Sequence, residues 1–135
     1  MSTELSMENR VVFITGGGRG IGRGITARFL EKGARVFICG RNEPEDMPEG
    51  VTFFGCDVRD AEAVGQVIQK VEADAGRLDI VINNAGGAPF AEAATASPRF
   101  SEKIIQLNLI AALHVSQAAN AVMQNQEHGG VIINV

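Results

Sequence analysis

A run of glycines between an apolar segment and a helix-period segment constrains this chain more than any other feature. The segment Thr15–Gly22 reads Thr-Gly-Gly-Gly-Arg-Gly-Ile-Gly, and it follows Val11–Thr15, whose unbroken apolar run is typical of a strand covered on both faces. Backbone without Cβ atoms can turn sharply, approach a pyrophosphate closely and leave helix N-terminal N–H groups to bind it. Strand, glycine turn and helix in this order predict a dinucleotide site.

Each glycine of the turn has a separate expected role. Gly16 makes the turn, Gly20 permits the close approach of the pyrophosphate, and Gly22 lets the helix pack tightly on the strand. Three more residues complete the predicted cofactor-binding segment: Gly18, Arg19 and Ile21. A glycine-rich hairpin or linker is the alternative, against which the flanking strand and helix argue. A P-loop is excluded, because lysine followed by serine or threonine does not come after the glycines.

Further apolar runs alternate with helix-period segments along the whole chain. The sequence predicts four more strands, at Arg35–Cys39, Val51–Cys56, Asp79–Asn83 and Val131–Val135. The connection Asn42–Gly50 is too short and too rich in breakers for a full helix. Strands separated by helices imply right-handed crossovers and a parallel sheet. We therefore expect an α/β fold of the Rossmann type, a doubly wound parallel sheet with strand order 3-2-1-4-5.

Three helices are predicted between these strands. The first carries Ile21, Ile25 and Phe29 on one face and ends before Gly33, and the second begins at the N-cap Asp60 and ends at Gly76. The third starts at Ser97 and Pro98 and runs to about Gln126. Its main apolar stripe is expected to comprise Phe100, Ile104, Leu107, Ala111, Val115, Ala118 and Val122. Leu109, Ile110 and Leu113 lie off this stripe, so the helix must be covered on more than one side.

The end of the second predicted strand bears on which dinucleotide is favoured. An NAD site usually places a carboxylate there, about 20 residues beyond the turn, to hold the ribose 2′-hydroxyl. This chain has Gly40 and Arg41 instead. Arg41 and Arg19 are suited to grip the 2′-phosphate of NADP(H), so we expect NADP(H) to be favoured over NAD(H). The missing carboxylate also weakens a methyltransferase interpretation.

Composition narrows the class of protein. The 135 residues suit a single domain, residues 1–135, and the net charge of −4 argues against nucleic acid or anionic membrane as a partner. Neither a signal peptide nor a membrane-spanning run is evident, so we expect a cytoplasmic protein. The cysteines Cys39 and Cys56 are expected to be buried and reduced, and His114 and His128 lack the companions of a metal site.

Four motifs together resemble the classical short-chain dehydrogenase/reductase family, over nearly the whole chain. They are the TGxxxGxG pattern of Thr15–Gly22, Asp57-Val58, the Asn83-Asn84-Ala85-Gly86 sequence and Asn108-Leu109. The resemblance implies that Asp57 accepts a hydrogen bond from the adenine amino group while the Val58 backbone meets the ring edge. It also implies that Asn84, Ala85 and Gly86 line the ribose and nicotinamide side of the cleft. Asn108 corresponds to the family's active-site asparagine, which helps to hold a water in a proton relay.

The chain departs from the family at the residues that handle the proton. In the family, a serine follows the fifth strand, and a tyrosine and a lysine lie on the next helix. The tyrosine protonates or deprotonates the substrate oxygen, and the lysine lowers the pKa of the tyrosine. This sequence contains no tyrosine and ends at Val135. We therefore expect the amino-terminal, cofactor-binding part of an oxidoreductase acting on a carbonyl or secondary alcohol, inactive on its own and a homodimer or homotetramer when complete. A non-catalytic dinucleotide-binding module or sensor and an inert fragment are the alternatives.

Overall fold

Five parallel strands form one sheet in the order β3-β2-β1-β4-β5, which confirms the predicted topology. The computed structural model describes residues 5–135. Its strands are β1 Val11–Thr15, β2 Arg35–Gly40, β3 Val51–Gly55, β4 Ile80–Asn83 and β5 Val131–Asn134. Each lies within a residue or so of its predicted bounds. No helix or strand interrupts the connection between β2 and β3, as its length and breakers predict.

The central strand β1 is buried along its whole length and separates two apolar cores. Side chains alternate across a strand, so Val12 and Ile14 face one core while Phe13 faces the other. The first core packs against the helix that follows β1, and the second packs against the helices that follow β3 and β4. Both faces of the sheet are therefore covered, which is the arrangement that unbroken apolar strands require.

The helices begin and end largely where the caps predict. They are α1 Gly20–Glu31, α2 Ala61–Ala75, α3 Pro98–Ile105 and α4 Ala111–Met123. Asp60 accepts N–H bonds at the start of α2, and Gly76 ends that helix in the left-handed conformation. One prediction about α1 is wrong: Ile21 does not belong to its buried face but is 72% exposed. Gly22 and Thr26 take the buried positions, because the first turn of α1 lies at the rim of a cleft rather than over the sheet.

The predicted long third helix is present from Pro98 to Met123, but it contains a π-helical turn that the sequence does not predict. Between α3 and α4, Gln106–Ile110 form a π-helical turn, in which the Ala111 N–H donates to the Gln106 carbonyl five residues earlier. The predicted stripe is confirmed at Ala111 and Val115, whereas Ala118 and Val122 are only partly buried, so α4 has a somewhat different set of fully buried residues. They are Ala111, Val115, Ala119 and Met123. Among residues 5–135, none of the helices has the length and apolar character to cross a bilayer.

The amino-terminal edge of the sheet is held by a buried carboxylate. Asp79 precedes β4, and its side chain is 5% exposed. It accepts from the Val11 N–H at 2.8 Å and from two Arg77 nitrogens at 2.6 and 2.8 Å, and the His128 Nε2 lies 2.9 Å from its Oδ1. Burial by itself opposes ionisation, but the Arg77 and Val11 hydrogen bonds outweigh it and hold the pKa of Asp79 below its ordinary value. This edge lies opposite the carboxyl ends of the strands.

Candidate functional site

The glycine turn adopts the backbone geometry that its predicted roles require. Gly16 has φ +64° and donates its N–H to the Cys39 carbonyl at 2.9 Å, which ties the end of β1 to β2. Gly20 has φ +55°, and a Cβ there would meet open space, so the backbone is free to be approached by a ligand. A Cβ on Gly22 would collide with the Gly16 carbonyl oxygen. The close packing at Gly22 is therefore against the turn itself.

The amino-terminal end of α1 lacks the side-chain cap that α2 and α3 have. Arg19 stands at the N-cap position in extended conformation, and its side chain accepts no N–H bond. Asp60 and Ser97 provide such bonds at the starts of α2 and α3. Among the described helices that start from a loop, α1 alone therefore keeps its first-turn N–H groups for an outside acceptor. Such an end, with the helix dipole behind it, favours an anion.

The loops after β1 and β4 hold each other through Thr15 and Asn84. The Thr15 hydroxyl accepts from the Asn84 N–H at 3.0 Å and from the Ala85 N–H at 2.9 Å. In return, the Asn84 side-chain amide donates to the carbonyls of Thr15 and Gly16, both at 3.2 Å. These reciprocal bonds fix Asn84 and Ala85 beside the glycine turn. Their backbone is thereby positioned at the carboxyl ends of the strands, where ligands of open α/β sheets bind.

Asn108 binds the backbone of the loop that follows β4. Its Oδ1 accepts from the Gly87 N–H at 2.9 Å, and its Nδ2 donates to the Gly87 carbonyl at 2.8 Å and to the Ile104 carbonyl at 3.0 Å. A Cβ on Gly86 would lie 2.7 Å from the same Oδ1. The side chain thus fixes the Gly86–Gly87 loop from the π-helical turn.

Asp57 at the end of β3 is already paired. The Arg59 guanidinium holds its carboxylate through two nitrogens, at 2.9 Å to Oδ1 and 2.7 Å to Oδ2, and the Arg59 N–H donates to Oδ1 at 3.0 Å. The hydrogen bond from Arg59, with a further contribution from the charge of Arg41, lowers the pKa of Asp57. The carboxylate is only half-buried and retains lone pairs for a further donor.

All twelve residues that the sequence singles out line one open cleft of about 990 Å³. They are Gly16, Gly18, Arg19, Gly20, Ile21, Arg41, Asp57, Val58, Asn84, Ala85, Gly86 and Asn108. The cleft runs along the carboxyl ends of the strands, from the connection after β2 to the π-helical turn. Its floor is the glycine turn, and Pro44 packs against Gly18 to form part of its wall. The sheet topology, rather than any local pattern, brings these residues together.

Four arginines line the cleft, and they differ in their partners. Arg23 binds the Asp46 side chain at 2.8 Å, and Arg59 binds Asp57. Arg19 and Arg41 are exposed, and within residues 5–135 neither forms an ion pair with a carboxylate. Two guanidinium groups are therefore available to an anionic ligand on the side of the cleft formed by the glycine turn and the end of β2.

Sequence reasoning missed several residues of the cleft. Arg59 was not expected there, although its place two residues after Asp57 was a usable signal. Glu43 and Glu45 also line the cleft, because the breaker-rich connection after β2 folds over the glycine turn. Gly87, which Asn108 binds, lies in a loop whose sequence gives no sign of this contact.

Comparison with known proteins gives a consistent result. The model of the short chain dehydrogenase family matches residues 10–135. The chain is similar to a 3alpha-hydroxysteroid dehydrogenase of Mediterraneibacter gnavus, with 33% identity over 96% of this chain and 56% of that protein. It is also similar to an L-fucose dehydrogenase of Bos taurus, with 34% identity over 93% of this chain and 48% of that protein.

A solved structure extends this likeness to the fold. A short chain dehydrogenase from Bacillus anthracis superposes with a TM-score of 0.87 and 33% identity, over 96% of this chain and 57% of that one. The chain spans about half the length of the curated relatives it matches.

Proposed function

The chain belongs to the short-chain dehydrogenase family, and from this premise we propose that it forms the nucleotide-binding part of an NADP(H)-dependent oxidoreductase. The reaction is the transfer of a hydride between the nicotinamide and a carbonyl or secondary alcohol. Members of the family bind NAD(P). The relatives above are named for a hydroxysteroid and for a sugar, both of which carry hydroxyl groups.

One observation carries the proposal: the uncapped amino-terminal end of α1 opens into the cleft beside the bare backbone of Gly20. A pyrophosphate needs several N–H donors, close backbone approach and a favourable dipole, and this end offers all three. Gly16, Gly18, Arg19 and Ile21 complete the binding segment. The bound nucleotide supplies the hydride chemistry, and the chain's own residues hold and orient it.

Arg19 and Arg41 support the preference for NADP(H) over NAD(H). Both line the cleft and neither forms an ion pair within residues 5–135, so binding a 2′-phosphate requires no existing ion pair to break. Arginine–phosphate hydrogen bonds are among the strong ones. Glu43 and Glu45 line the same cleft and oppose this preference by charge. We expect the attraction of the arginines to outweigh the repulsion of the glutamates, because Arg41 directly follows β2, where folds of this type contact the 2′ group of the ribose.

The remaining site residues divide between the two ends of the nucleotide. Asp57 accepts from the adenine amino group with the lone pairs that Arg59 leaves free, and the Val58 backbone meets the ring edge. Asn84, Ala85 and Gly86 line the ribose and nicotinamide side.

Asn108 acts on the nicotinamide side through the loop that it holds. Its amide positions the loop through the Gly87 backbone and the Ile104 carbonyl, and its proposed role in the complete enzyme is to help to hold a water of the proton relay.

Proton transfer requires a group that these 135 residues do not supply. The sequence contains no tyrosine, and the family resemblance assigns the proton of the substrate oxygen to a tyrosine with a neighbouring lysine. We therefore propose that the 135-residue chain binds the nucleotide without turning over a substrate.

An exposed apolar face supports a homo-oligomeric complete protein. Ile105, Leu109 and Leu113 recur every fourth residue and are 51%, 64% and 52% exposed. Such a row is an unusual surface for a monomer. We propose that a second copy of the chain covers it.

The free thiols of Cys39 and Cys56 support a cytoplasmic location, where thiols stay reduced.

Calorimetric titration of the purified chain with NADPH and then with NADH tests the proposed function. We expect both to bind, NADPH at least about tenfold more tightly, which corresponds to about 1.4 kcal/mol. Addition of a ketone substrate panel to the NADPH complex is expected to leave the absorbance of the reduced nicotinamide unchanged. Tighter binding of NADH would overturn the NADP(H) preference, and absence of binding by either nucleotide would overturn the proposal as a whole.

A further inference from the structure

Two cysteines meet where β2 and β3 end. Cys39 is the fifth residue of β2 and lies opposite Phe54 of β3, and Cys56 is two residues beyond Phe54 on the same face of the sheet. The Cys56 N–H donates to the Gly40 carbonyl at 2.9 Å, which holds Cys56 against the strand that carries Cys39. Both are free thiols within one apolar cluster.

The two residues are almost fully buried, and they lie behind the wall of the cleft. Cys39 is 2% exposed and Cys56 is 7% exposed, yet both line the cleft beside Asp57 and Arg41. Cys56 is the more exposed of the two, so a small reagent that enters the cleft meets Cys56 first, and a ligand that fills this part of the cleft covers both.

The pair is chemically asymmetric. The Cys39 thiol is hydrogen-bonded to the Cys56 sulfur, and this bond together with burial raises the pKa of Cys39. The same hydrogen bond lowers the pKa of Cys56, against the opposing effects of burial and of the nearby Asp57 and Asp60 charges. Because the thiolate is the nucleophilic form, Cys56 is the residue that reacts first.

We propose that Cys39 and Cys56 form a peroxide-sensitive thiol pair at the adenine end of the cleft, and that their oxidation to a disulfide weakens nucleotide binding. The Cys56 thiolate attacks one oxygen of hydrogen peroxide, the O–O bond breaks, and a sulfenic acid and hydroxide form. The Cys39 thiol then attacks the sulfenic sulfur, so that the S–S bond forms and the S–O bond breaks. The hydroxyl leaves as water with the Cys39 proton, and the earlier hydroxide takes the proton released by Cys56. Two thiols are oxidised by two electrons, and one peroxide becomes two waters.

The link to the nucleotide rests on the proposed function. Cys56 directly precedes Asp57 and Val58, which are assigned to the adenine, and Cys39 precedes Gly40 and Arg41. Bridging the sulfurs ties the two strand ends together, because a disulfide holds its Cα atoms within a narrow range of separations. Nucleotide binding and oxidation are therefore expected to oppose each other.

The first experiment exposes the purified chain to hydrogen peroxide and needs no nucleotide. We expect an intact mass lower by about 2 Da, restored by dithiothreitol, with the peptides of Cys39 and Cys56 linked after digestion. The variant Cys39→Ser is expected to give a sulfenic acid at Cys56 that dimedone traps, and Cys56→Ser is expected to give none at Cys39. Linkage between two molecules, or oxidation of methionines alone, would overturn the thiol pair.

The second experiment tests whether oxidation of the thiol pair and nucleotide binding affect each other. Saturating NADPH is expected to slow alkylation of Cys56 by iodoacetamide about tenfold, and the disulfide form is expected to bind NADPH about tenfold more weakly until it is reduced. A disulfide that forms without any change in NADPH affinity would overturn the coupling. A disulfide that forms in a chain that binds no nucleotide would overturn the proposed function instead, since the thiol chemistry is read from mass.

Discussion

The side-chain amide of Asn108 hydrogen-bonds to both backbone groups of Gly87, accepting at 2.9 Å and donating at 2.8 Å. The Asn108 side chain thereby satisfies the N–H and the carbonyl of Gly87 as a neighbouring β-strand would. The loop after β4 has no such strand beside it, so its position depends on Asn108.

Replacing Asn108 should therefore loosen this loop. Asn108→Ala removes three hydrogen bonds, and at about 0.5–1.5 kcal/mol each, with partial exposure, we expect a loss of about 1–2 kcal/mol in the free energy of unfolding. Asn108→Asp keeps the acceptor but faces two carbonyl oxygens, so it should lose at least as much. Urea unfolding and NADPH titration measure the two effects. Asn120→Ala, at an exposed position of α4, is the control, and equal losses in both variants would refute the assignment.

Two glycines of α1, Gly22 and Gly24, allow a controlled test of how tightly the helix packs against the glycine turn. A Cβ at Gly22 would collide with the Gly16 carbonyl oxygen, whereas one at Gly24 would meet open space. We expect Gly22→Ala to cost about 1–3 kcal/mol by overpacking and to weaken nucleotide binding. Gly24→Ala should stabilise the protein by about 0.5–1 kcal/mol, because alanine is the better helix former. Denaturant midpoints check both, and a Gly22→Ala variant as stable as the parent would contradict the described packing.

Arg41 should determine the preference between the two nucleotides. We expect Arg41→Ala to lower NADPH affinity about 10- to 150-fold, or ~1.5–3 kcal/mol, and to leave NADH affinity nearly unchanged. Arg28→Ala, which removes the same charge from the far end of α1, is the control for net charge. Calorimetry at fixed ionic strength measures the affinities of the parent and of both variants for each nucleotide. If Glu43→Gln lowered NADH affinity while Arg41→Ala spared NADPH, the opposite preference would hold.

Asp79 should make the protein sensitive to acid. Its pKa is lower in the folded chain than in the unfolded one, so its contribution is complete above the unfolded value of about 3.9 and is lost as the pH falls through the folded value. At neutral pH, Asp79→Asn should cost about 3 kcal/mol, the cost of breaking a buried pair. It should also flatten the loss of stability below about pH 5.

The exposed pair of Asp74 and Arg35 provides the control for Asp79. Asp74→Asn removes a carboxylate that is 52% exposed, so less than about 1 kcal/mol should be lost. Urea unfolding of both variants between about pH 2 and 7 gives the comparison. Equal slopes against pH in Asp79→Asn and the parent would contradict the role given to Asp79.

The apolar row on α3, the π-helical turn and α4 should respond to a charge. If a second copy covers Ile105, Leu109 and Leu113, Leu109→Glu should shift the oligomer to monomer in sedimentation experiments. Leu5→Glu introduces the same charge at another exposed leucine and should leave the oligomer intact. A parent protein that stays monomeric at high concentration would refute the proposal.

The strand order and the glycine turn could be predicted because their signals are local. Unbroken apolar runs indicate strands covered on both faces, and crossover handedness leaves few topologies. The turn at Gly16 requires a positive φ that glycine adopts without strain.

Other features depend on contacts that only the folded chain creates. The bond from Asn108 to Gly87 joins residues 21 positions apart, and the loop carrying Glu43 reaches the cleft by folding over Gly18. Ile21 was placed on a buried face because apolar periodicity does not reveal that a helix's first turn projects past the sheet. The pairing of Arg59 with Asp57 similarly depends on how the chain bends after β3.

Because of the π-helical turn at Gln106–Ile110, the number of residues in this segment determines which face of α4 meets the core. Closing the turn to ordinary α-helical winding without removing a residue would turn everything downstream by about 100°. The residues of α4 that now pack against the core, beginning with Ala111, would then point away from it, although the helix propensity of every residue would be unchanged. Removing one residue from the turn would instead restore ordinary winding and keep α4 on its present face, so a single deletion there is expected to be compatible with the packing of α4.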